Sequence, residues 1–370
     1  MKILQVSEHY FPYVGGISEH IYFLSTELRK RGHQVDILTS KMKNSQKSEP
    51  NVYRIGTSII VPMNKSFSRL TIHPLVPVRI RDFLRKNKYD IIHIHGSLAP
   101  TLPIFTIKYS KSCNFSTYHA WHKKSLGYKI FKLYLYRNYF KKLDGIIAVS
   151  KAAMETMAKY FPGEYRIIPN GVDINLYSPG PSNITDLKGF PKILFVGRLE
   201  PRKGLRYLLE AMPMILNKFK DAILVVIGKG PLEKVYKKML SHKIKQSVIF
   251  KGEVSEEEKI NYYRWCDIFC APSIGHESFG ITLLEAMATT KPVVCSAIPG
   301  YSEVVENGKE ALLFKPKNPE SIAHKIILLA KDEKLRKKLS KNGRKKAEKF
   351  SWGKIAAKVE EYYYEKLQST

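Results

Sequence analysis

Two carboxylates, Glu277 and Glu285, stand in the run Pro272-Ser273-Ile274-Gly275-His276-Glu277-Ser278-Phe279-Gly280-Ile281-Thr282-Leu283-Leu284-Glu285-Ala286-Met287-Ala288. An apolar strand ends near Ala271, and a helix begins near Gly280. Carboxylates accept paired hydrogen bonds from diols such as those of ribose and hexoses, and a hydrogen bond to a charged group contributes about 1.5–3 kcal/mol. The helix start beside them offers free N–H groups to a phosphate. The same spacing also suits an N-terminal acid followed by a solvated helix acid. Upstream, Gly197-Arg198-Leu199-Glu200-Pro201-Arg202-Lys203-Gly204 follows another apolar strand. Arg198 as a planar fork and Lys203 as a point charge suit a diphosphate; the plainer alternative is one more basic loop in a basic protein. Gly15-Gly16 follows the first strand and opens a helix, where the backbone either approaches a phosphate or simply turns.

Other signals are weaker. Gly228-Lys229-Gly230-Pro231 has the first two glycines of a dinucleotide fingerprint, but Glu233 stands where the third small residue belongs, so it reads as a structural turn. His93 and His95 share one strand face through the two-residue period. With no third ligand in view and no D-x-D motif, they read as structural or cleft-lining, and no metal site is expected.

The elements that must position these residues alternate between strand and helix. Lys2 to Val6 is a strand, Ile17 to Arg31 has helical periodicity, and Val35 to Leu38 is the next strand. Strands follow at Ile91 to Ile94, Phe115 to Tyr118 and Gly145 to Val149. Pro and Gly then crowd a stretch with little periodicity. A second series runs through Lys192 to Val196, Ala222 to Ile227, Ser247 to Phe250, Ile268 to Ala271 and Pro292 to Cys295. Buried strands separated by helices predict doubly wound parallel sheets, an α/β class. The expected organisation is residues 1–172, a linker at 173–191, residues 192–350, and a separate helix in 351–370. Ligands of such sheets bind at the carboxyl ends of the strands, which is where the motifs fall.

The chain has 370 residues, enough to bury full cores without disulfide or metal staples. Its four cysteines, Cys113, Cys266, Cys270 and Cys295, read as free thiols, which fits a reducing cytoplasm. No apolar run reaches the length of a membrane span, and Glu8 interrupts the apolar start too early for a signal peptide. Lys and Arg number 62 against 33 acids, a net charge of +29. Such a field attracts phosphates, nucleic acid or anionic lipid. The excess is spread over both halves, and Lys far outnumbers Arg without any nucleic-acid-binding motif. A specific nucleic-acid partner is therefore disfavoured.

The ordered set of motifs resembles the retaining glycosyltransferases of family 4. Glu277-Ser278-Phe279-Gly280-Ile281 with Glu285-Ala286-Met287 is similar to that family's E-x-F-G-x-x-x-x-E signature. Gly15-Gly16, Val149-Ser150, Asn170-Gly171-Val172-Asp173, Gly197-Arg198-Leu199 with Lys203-Gly204, and Gly228-Lys229-Gly230-Pro231 match it in order. The resemblance implies the GT-B fold, two Rossmann-like domains facing across a cleft, with the last helix crossing back to the N-terminal domain. It implies that Gly197, Arg198 and Lys203 hold a donor diphosphate and that Glu285 binds ribose hydroxyls. Glu277, with the backbone of Ser278, Phe279, Gly280 and Ile281, would contact the transferred sugar and phosphate. Gly15 and Gly16 would approach from the other domain, and His119 would lie beside the reacting sugar. His119, Arg198, Lys203 and Glu277 are the expected catalytic residues. The donor would be a UDP- or GDP-linked hexose or N-acetylhexosamine, with no cofactor and no required metal.

The acceptor is expected to be a lipid or glycan. No acidic residue lies between Asp90 and Asp144, and Ser125 to Lys142 mixes aromatic, aliphatic and basic residues. Such a helix can lie in an anionic membrane interface, with Lys123, Lys124, Lys129, Lys132 and Arg137 as the basic contacts; alternatively it packs on the sheet with a solvated basic face. A peripheral position on the cytoplasmic membrane face follows from the first reading. A nucleotide-sugar epimerase of the same fold is the competing enzyme class, distinguished by epimer formation from donor alone. The basic run Lys331 to Lys349 reads as a solvated helix face.

Overall fold

The structure, a computed structural model, describes residues 1–13, 15–42, 49–63, 66–96, 101–119 and 126–369, with backbone alone for 60–63 and 66–68. The chain divides into two compact units, Met1–Gly171 with Trp352–Thr370, and Val172–Ser351.

The first unit contains β1 (Lys2–Val6), α1 (Gly16–Lys30), β2 (Gln34–Lys41), β3 (Val52–Met63), β4 (Ser66–Ile72), α2 (Val76–Lys86), β5 (Ile91–His95), α3 (Leu102–Tyr109), β6 (Cys113–Tyr118), α4 (Leu126–Asn138), β7 (Gly145–Ala148), α5 (Lys151–Ala158) and β8 (Arg166–Ile167). Its sheet order is β4-β3-β2-β1-β5-β6-β7-β8, parallel except for the β3–β4 pair. β1, β5 and β6 are buried on both faces, as strands of a parallel sheet between helices are, and they carry the buried polar residues Gln5, His93, His95, Asn114, Ser116 and Thr117. One core lies between the sheet and the α2 to α4 side, around Leu4, Ile80, Ile92, Ile107 and Tyr118. The other joins Ile3, Leu24, Leu28 and Phe115 to the last helix.

The second unit contains β9 (Lys192–Val196), α6 (Leu205–Lys218), β10 (Ile223–Ile227), α7 (Glu233–Lys238), α8 (His242–Lys245), β11 (Val248–Gly252), α9 (Glu256–Trp265), β12 (Ile268–Ala271), α10 (Ile281–Ala288), β13 (Val293–Ser296), α11 (Pro299–Ser302), β14 (Ala311–Phe314), α12 (Pro319–Lys331) and α13 (Glu333–Ala347). Its sheet, β11-β10-β9-β12-β13-β14, is wholly parallel. Strand order reverses between β9 and β12 here, and between β1 and β5 in the first unit. At such a reversal the flanking connections leave toward opposite faces, and a crevice opens at the strands' carboxyl ends.

α14 (Trp352–Gln368) closes the chain. Trp352, Ile355, Ala356, Val359, Tyr362 and Tyr363 form its buried stripe at helical spacing. They pack on α1 and the sheet of the first unit, so the end of the chain completes the core begun by β1. Glu360 bridges Arg31 at 2.5 Å and His33 at 2.6 Å.

Three features depart from the sequence reading. β3 and β4, an antiparallel hairpin at one edge of the sheet, were passed over: the apolar stretches Val52-Tyr53 and Ile59-Ile60-Val61 are separated by Arg54, Gly56, Thr57 and Ser58. β14 was missed as a short apolar run on the opposite edge. Residues 173–191, read as a linker, belong to the second unit: Arg264 donates to Ser178 backbone and hydroxyl, both at 3.0 Å, and Trp265 Nε1 donates to Leu187 O at 3.0 Å. Their Pro and Gly content reflects an irregular path over α9, not freedom from it. The four cysteines are free and buried.

Tyr363 is fully buried, stacks edge-on against Phe115 at 4.8 Å, and meets His93 Nδ1 at 2.5 Å through its hydroxyl. Tyr363→Ala is expected to destabilise the first unit by about 3–5 kcal/mol. Tyr364→Ala, on the solvent side, should stay within about 0.5 kcal/mol. Urea unfolding of the two variants checks this, and equal effects would contradict the placement of α14.

Candidate active site

The reversal in the second sheet places two loops side by side, one after β9 and one after β12. They are fastened by a backbone hydrogen bond from Ile274 N to Arg202 O at 2.8 Å. Gly204, at φ 69°, makes the turn into α6 so close to the second loop that a Cβ would lie 1.9 Å from Pro272 O. Only glycine supplies both that conformation and that clearance.

This fastening gathers charges. Lys203 Nζ lies 2.7 Å from Glu277 Oε1, and Arg202 reaches the same oxygen at 3.0 Å. Arg202 also pairs with Glu200 at 2.9 Å, and Glu200 holds Arg198 at 2.9 Å. Ser273 Oγ donates to Glu277 Oε1 at 3.2 Å and accepts from Tyr301 OH at 2.9 Å. Burial alone would raise the Glu277 carboxyl, but Lys203 and Arg202 outweigh it and hold it below its ordinary value. Arg198 stays 46% exposed at its side chain, so its guanidinium has faces open to a ligand.

Gly197, Arg198, Lys203 and Glu277 thus come together in one network or its supporting loop. Ser278, Phe279 and Gly280 lead directly into α10, which Ile281 opens. Phe279 is buried against Phe350, with ring centroids 5.6 Å apart. Glu285 turns elsewhere. Its buried carboxylate accepts from Tyr263 OH at 2.7 Å and Tyr177 OH at 3.2 Å, with Lys259 Nζ at 3.3 Å. The sequence reading missed Arg202 and Glu200, which link Arg198 to Glu277; adjacency to Lys203 in a loop after a strand was the only available signal. The Gly228 loop turns tightly against the loop after β9, where a Cβ on Gly228 would lie 2.1 Å from Gly197 O.

In the first unit, Gly15 is the extended residue before α1 and Gly16 is its first residue. Neither adopts the left-handed conformation, so neither is there for a strained turn. His119 follows β6, with Nε2 3.4 Å from His95 Nδ1 and its ring edge-on to His20 at 4.6 Å between centroids. His93 is structural, held by Tyr363 OH and by Thr117 Oγ1 at 2.7 Å. His95 is not its partner in a two-residue pair alone: it groups with His20 and His119, which no local spacing could reveal. In α4, Lys129, Lys132 and Arg137 are exposed; Lys123 and Lys124 lie outside the described residues.

A depressed Glu277 pKa means that its pairing stabilises the fold fully above the ordinary value of 4.5 and is lost as pH falls through the lower folded value. Arg202→Ala removes one of its two cations and leaves Glu200 with Arg198 alone. The variant is expected to lose about 1–3 kcal/mol at pH 7. It should also begin acid unfolding of the second unit at higher pH than the parent. Urea titrations across pH 3–7 test this, and an unchanged acid limb would contradict the shared-carboxylate network.

Residues 14–176 match the family Glycosyltransferase Family 4, and residues 183–346 match Glycosyl transferases group 1. A phosphatidyl-myo-inositol mannosyltransferase of Mycobacterium leprae is 31% identical over 368 residues, 98% of this chain and 96% of that one. A glycosyltransferase from Rickettsia africae shares the fold with a TM-score of 0.79 at 21% identity, covering 100% and 99% of the two chains. The Anabaena protein HepE in complex with UDP-glucose does so with a TM-score of 0.75 at 19% identity, covering 99% and 100%. Two Rossmann-like units, the ordered motifs and a full-length relative agree: the fold is GT-B, and the chain belongs to the group 1 glycosyltransferases of family 4.

Proposed function

We propose that this glycosyltransferase moves a hexose or N-acetylhexosamine from a UDP- or GDP-linked donor to a lipid acceptor, with retention of configuration and without a required metal. The observation that carries the donor reading is the cation network of Arg198, Arg202 and Lys203 around Glu200 and Glu277 at the strand-order reversal. As the glycosidic bond breaks, negative charge grows on the leaving diphosphate. Arg198 and Lys203, already fixed by carboxylates, meet that charge without reorganising, which favours the transition state over the ground state. The new bond forms from the acceptor oxygen to the anomeric carbon on the face the diphosphate leaves, and a diphosphate oxygen takes the acceptor proton. Backbone N–H groups from Ser278 to Ile281 receive the phosphate, and Glu277 touches the sugar. Glu285 reaches ribose hydroxyls only by sharing its oxygens with Tyr177 and Tyr263. For Gly15, Gly16 and His119, all in the first unit, the proposed roles toward phosphate and sugar rest on the family's motifs.

The acceptor reading rests on α4. Only Tyr128 and Leu135 of this helix are buried, while Leu126, Ile130, Phe131, Leu133 and Tyr134 are 56–71% exposed among Lys129, Lys132 and Arg137. A solvated basic face does not need five large apolar side chains in water; an anionic membrane interface accommodates both kinds. Among the described residues no helix is long and apolar enough to cross a membrane, so attachment would be peripheral, on the cytoplasmic face. The M. leprae relative's name makes mannose and an inositol phospholipid the first pair to test.

Transfer from GDP-mannose and UDP-hexoses to phosphatidylinositol-containing vesicles tests the reading. Lys203→Ala should lower kcat by about 10²–10³-fold while remaining folded. Normal turnover in a folded variant would remove Lys203 from the reaction. Lys129→Ala with Lys132→Ala should weaken sedimentation with anionic vesicles by roughly 30-fold, at about 1 kcal/mol per residue. Failure of the parent chain to sediment at low salt would remove the membrane.

A further inference from the structure

His20, His95 and His119 come from α1, β5 and the residue following β6, yet one nitrogen of each lies within 4.8 Å of the other two. Their ring centroids are 5.2 Å apart for His20 and His95, 4.6 Å for His20 and His119, and 5.7 Å for His95 and His119. The second nitrogens of His20 and His95 are anchored. His20 Nδ1 is 2.9 Å from Asn170 Oδ1, and His95 Nε2 is 2.5 Å from Gln5 Oε1. A carboxamide oxygen can only accept, so both anchored nitrogens carry the proton, and each ring keeps a lone pair on the other. The lone-pair nitrogen of His20 is buried with no hydrogen-bond partner among the described residues.

His20 and His95 are 2% exposed, so both rings stand away from water. Neutral imidazoles whose far nitrogen donates to a fixed oxygen are the usual supports of a bound Zn²⁺. Three nitrogens on a tetrahedral ion with bonds of about 2.0–2.1 Å lie about 3.4 Å apart; His95 Nδ1 and His119 Nε2 already stand at 3.4 Å. His93 takes no part, since Tyr363 and Thr117 occupy both its nitrogens.

We propose that His20, His95 and His119 form a three-imidazole site for a divalent cation of the Zn²⁺ class, and that its occupancy switches off sugar transfer. The all-nitrogen donor set disfavours Mg²⁺ and Ca²⁺, which take oxygen ligands. Inhibition follows because the cation would immobilise His119, and this half rests on the role in sugar transfer proposed for His119 above.

The experiment uses the full-length chain, stripped with a chelator and titrated with Co²⁺ and then Zn²⁺. One equivalent of Co²⁺ should give the visible absorption of a four-coordinate ion and quench Trp352, whose ring lies 5.1 Å from His20. Zn²⁺ should displace it and stop transfer, and a chelator should restore transfer. His20→Gln and His95→Gln should each weaken Zn²⁺ binding by roughly 100-fold or more, with circular dichroism verifying the fold. Absence of stoichiometric Co²⁺ or Zn²⁺ binding in the parent chain overturns the site, whatever the variants do. Unchanged affinity in either folded variant overturns it too. Binding that is lost in both variants but leaves transfer unimpaired overturns the inhibition and the role proposed for His119, while the ion site stands.

Discussion

A carboxylate removed from water must be surrounded by cations and donors, or it takes up a proton. Glu277 imposes that constraint on the second unit. One of its oxygens gathers Lys203, Arg202 and Ser273, and Arg202 extends the network through Glu200 to Arg198. The loops that supply these groups come from neighbouring strands on either side of the reversal in strand order. The parallel sheet therefore decides which charges can meet, and the charges decide which loop conformation is stable. The cations are held by acids from their own unit, with Arg198 left accessible. Such a cluster suits a ligand whose negative charge increases during reaction better than one of constant charge.

The first unit meets a related problem with neutral groups. Its reversal lies between β1 and β5, and the polar side chains there are Gln5, His95, His20 and His119, with Asn170 beside them. Burial disfavours the charged form of these rings, and the carboxamides of Asn170 and Gln5 orient His20 and His95. α14 supports this arrangement from behind, because Tyr363 ties His93 to the core and Trp352 packs edge-on against His20. The last residues of the chain therefore hold the polar edge formed by the first strand.

Much of this was legible in the sequence. The runs Lys2 to Val6 and Ile268 to Ala271 are strands at those residues, each marked by consecutive apolar side chains (Ile3-Leu4, and Ile268 to Ala271) that a strand buried on both faces favours. Gly197 to Gly204 and Glu277 to Glu285 were found because a chemistry-bearing loop after a buried strand combines a local pattern with a topological rule. What depends on distance along the chain was not legible. His20 reaches His95 and His119 only through the sheet, and Arg202 is distinguished from other basic residues only by its two acidic partners. Glu285 looked like a companion of Glu277, but the helix turns it toward Tyr177 and Tyr263, which lie outside its motif. β3 and β4 show the remaining gap: Arg54, Gly56, Thr57 and Ser58 in β3 and Ser68, Arg69 and Thr71 in β4 break up their apolar residues, so neither reads as one apolar strand.

The central claim is that Arg198 and Lys203 are placed for a diphosphate, beyond their part in folding. Calorimetric titration of the parent chain, Arg198→Ala and Lys203→Ala with a nucleoside and with its diphosphate separates the two. The account predicts that each variant loses affinity for the diphosphate by roughly tenfold or more, as expected for a lost charge-assisted contact, while affinity for the nucleoside is retained. Equal losses for nucleoside and diphosphate, or no loss for either, would contradict it.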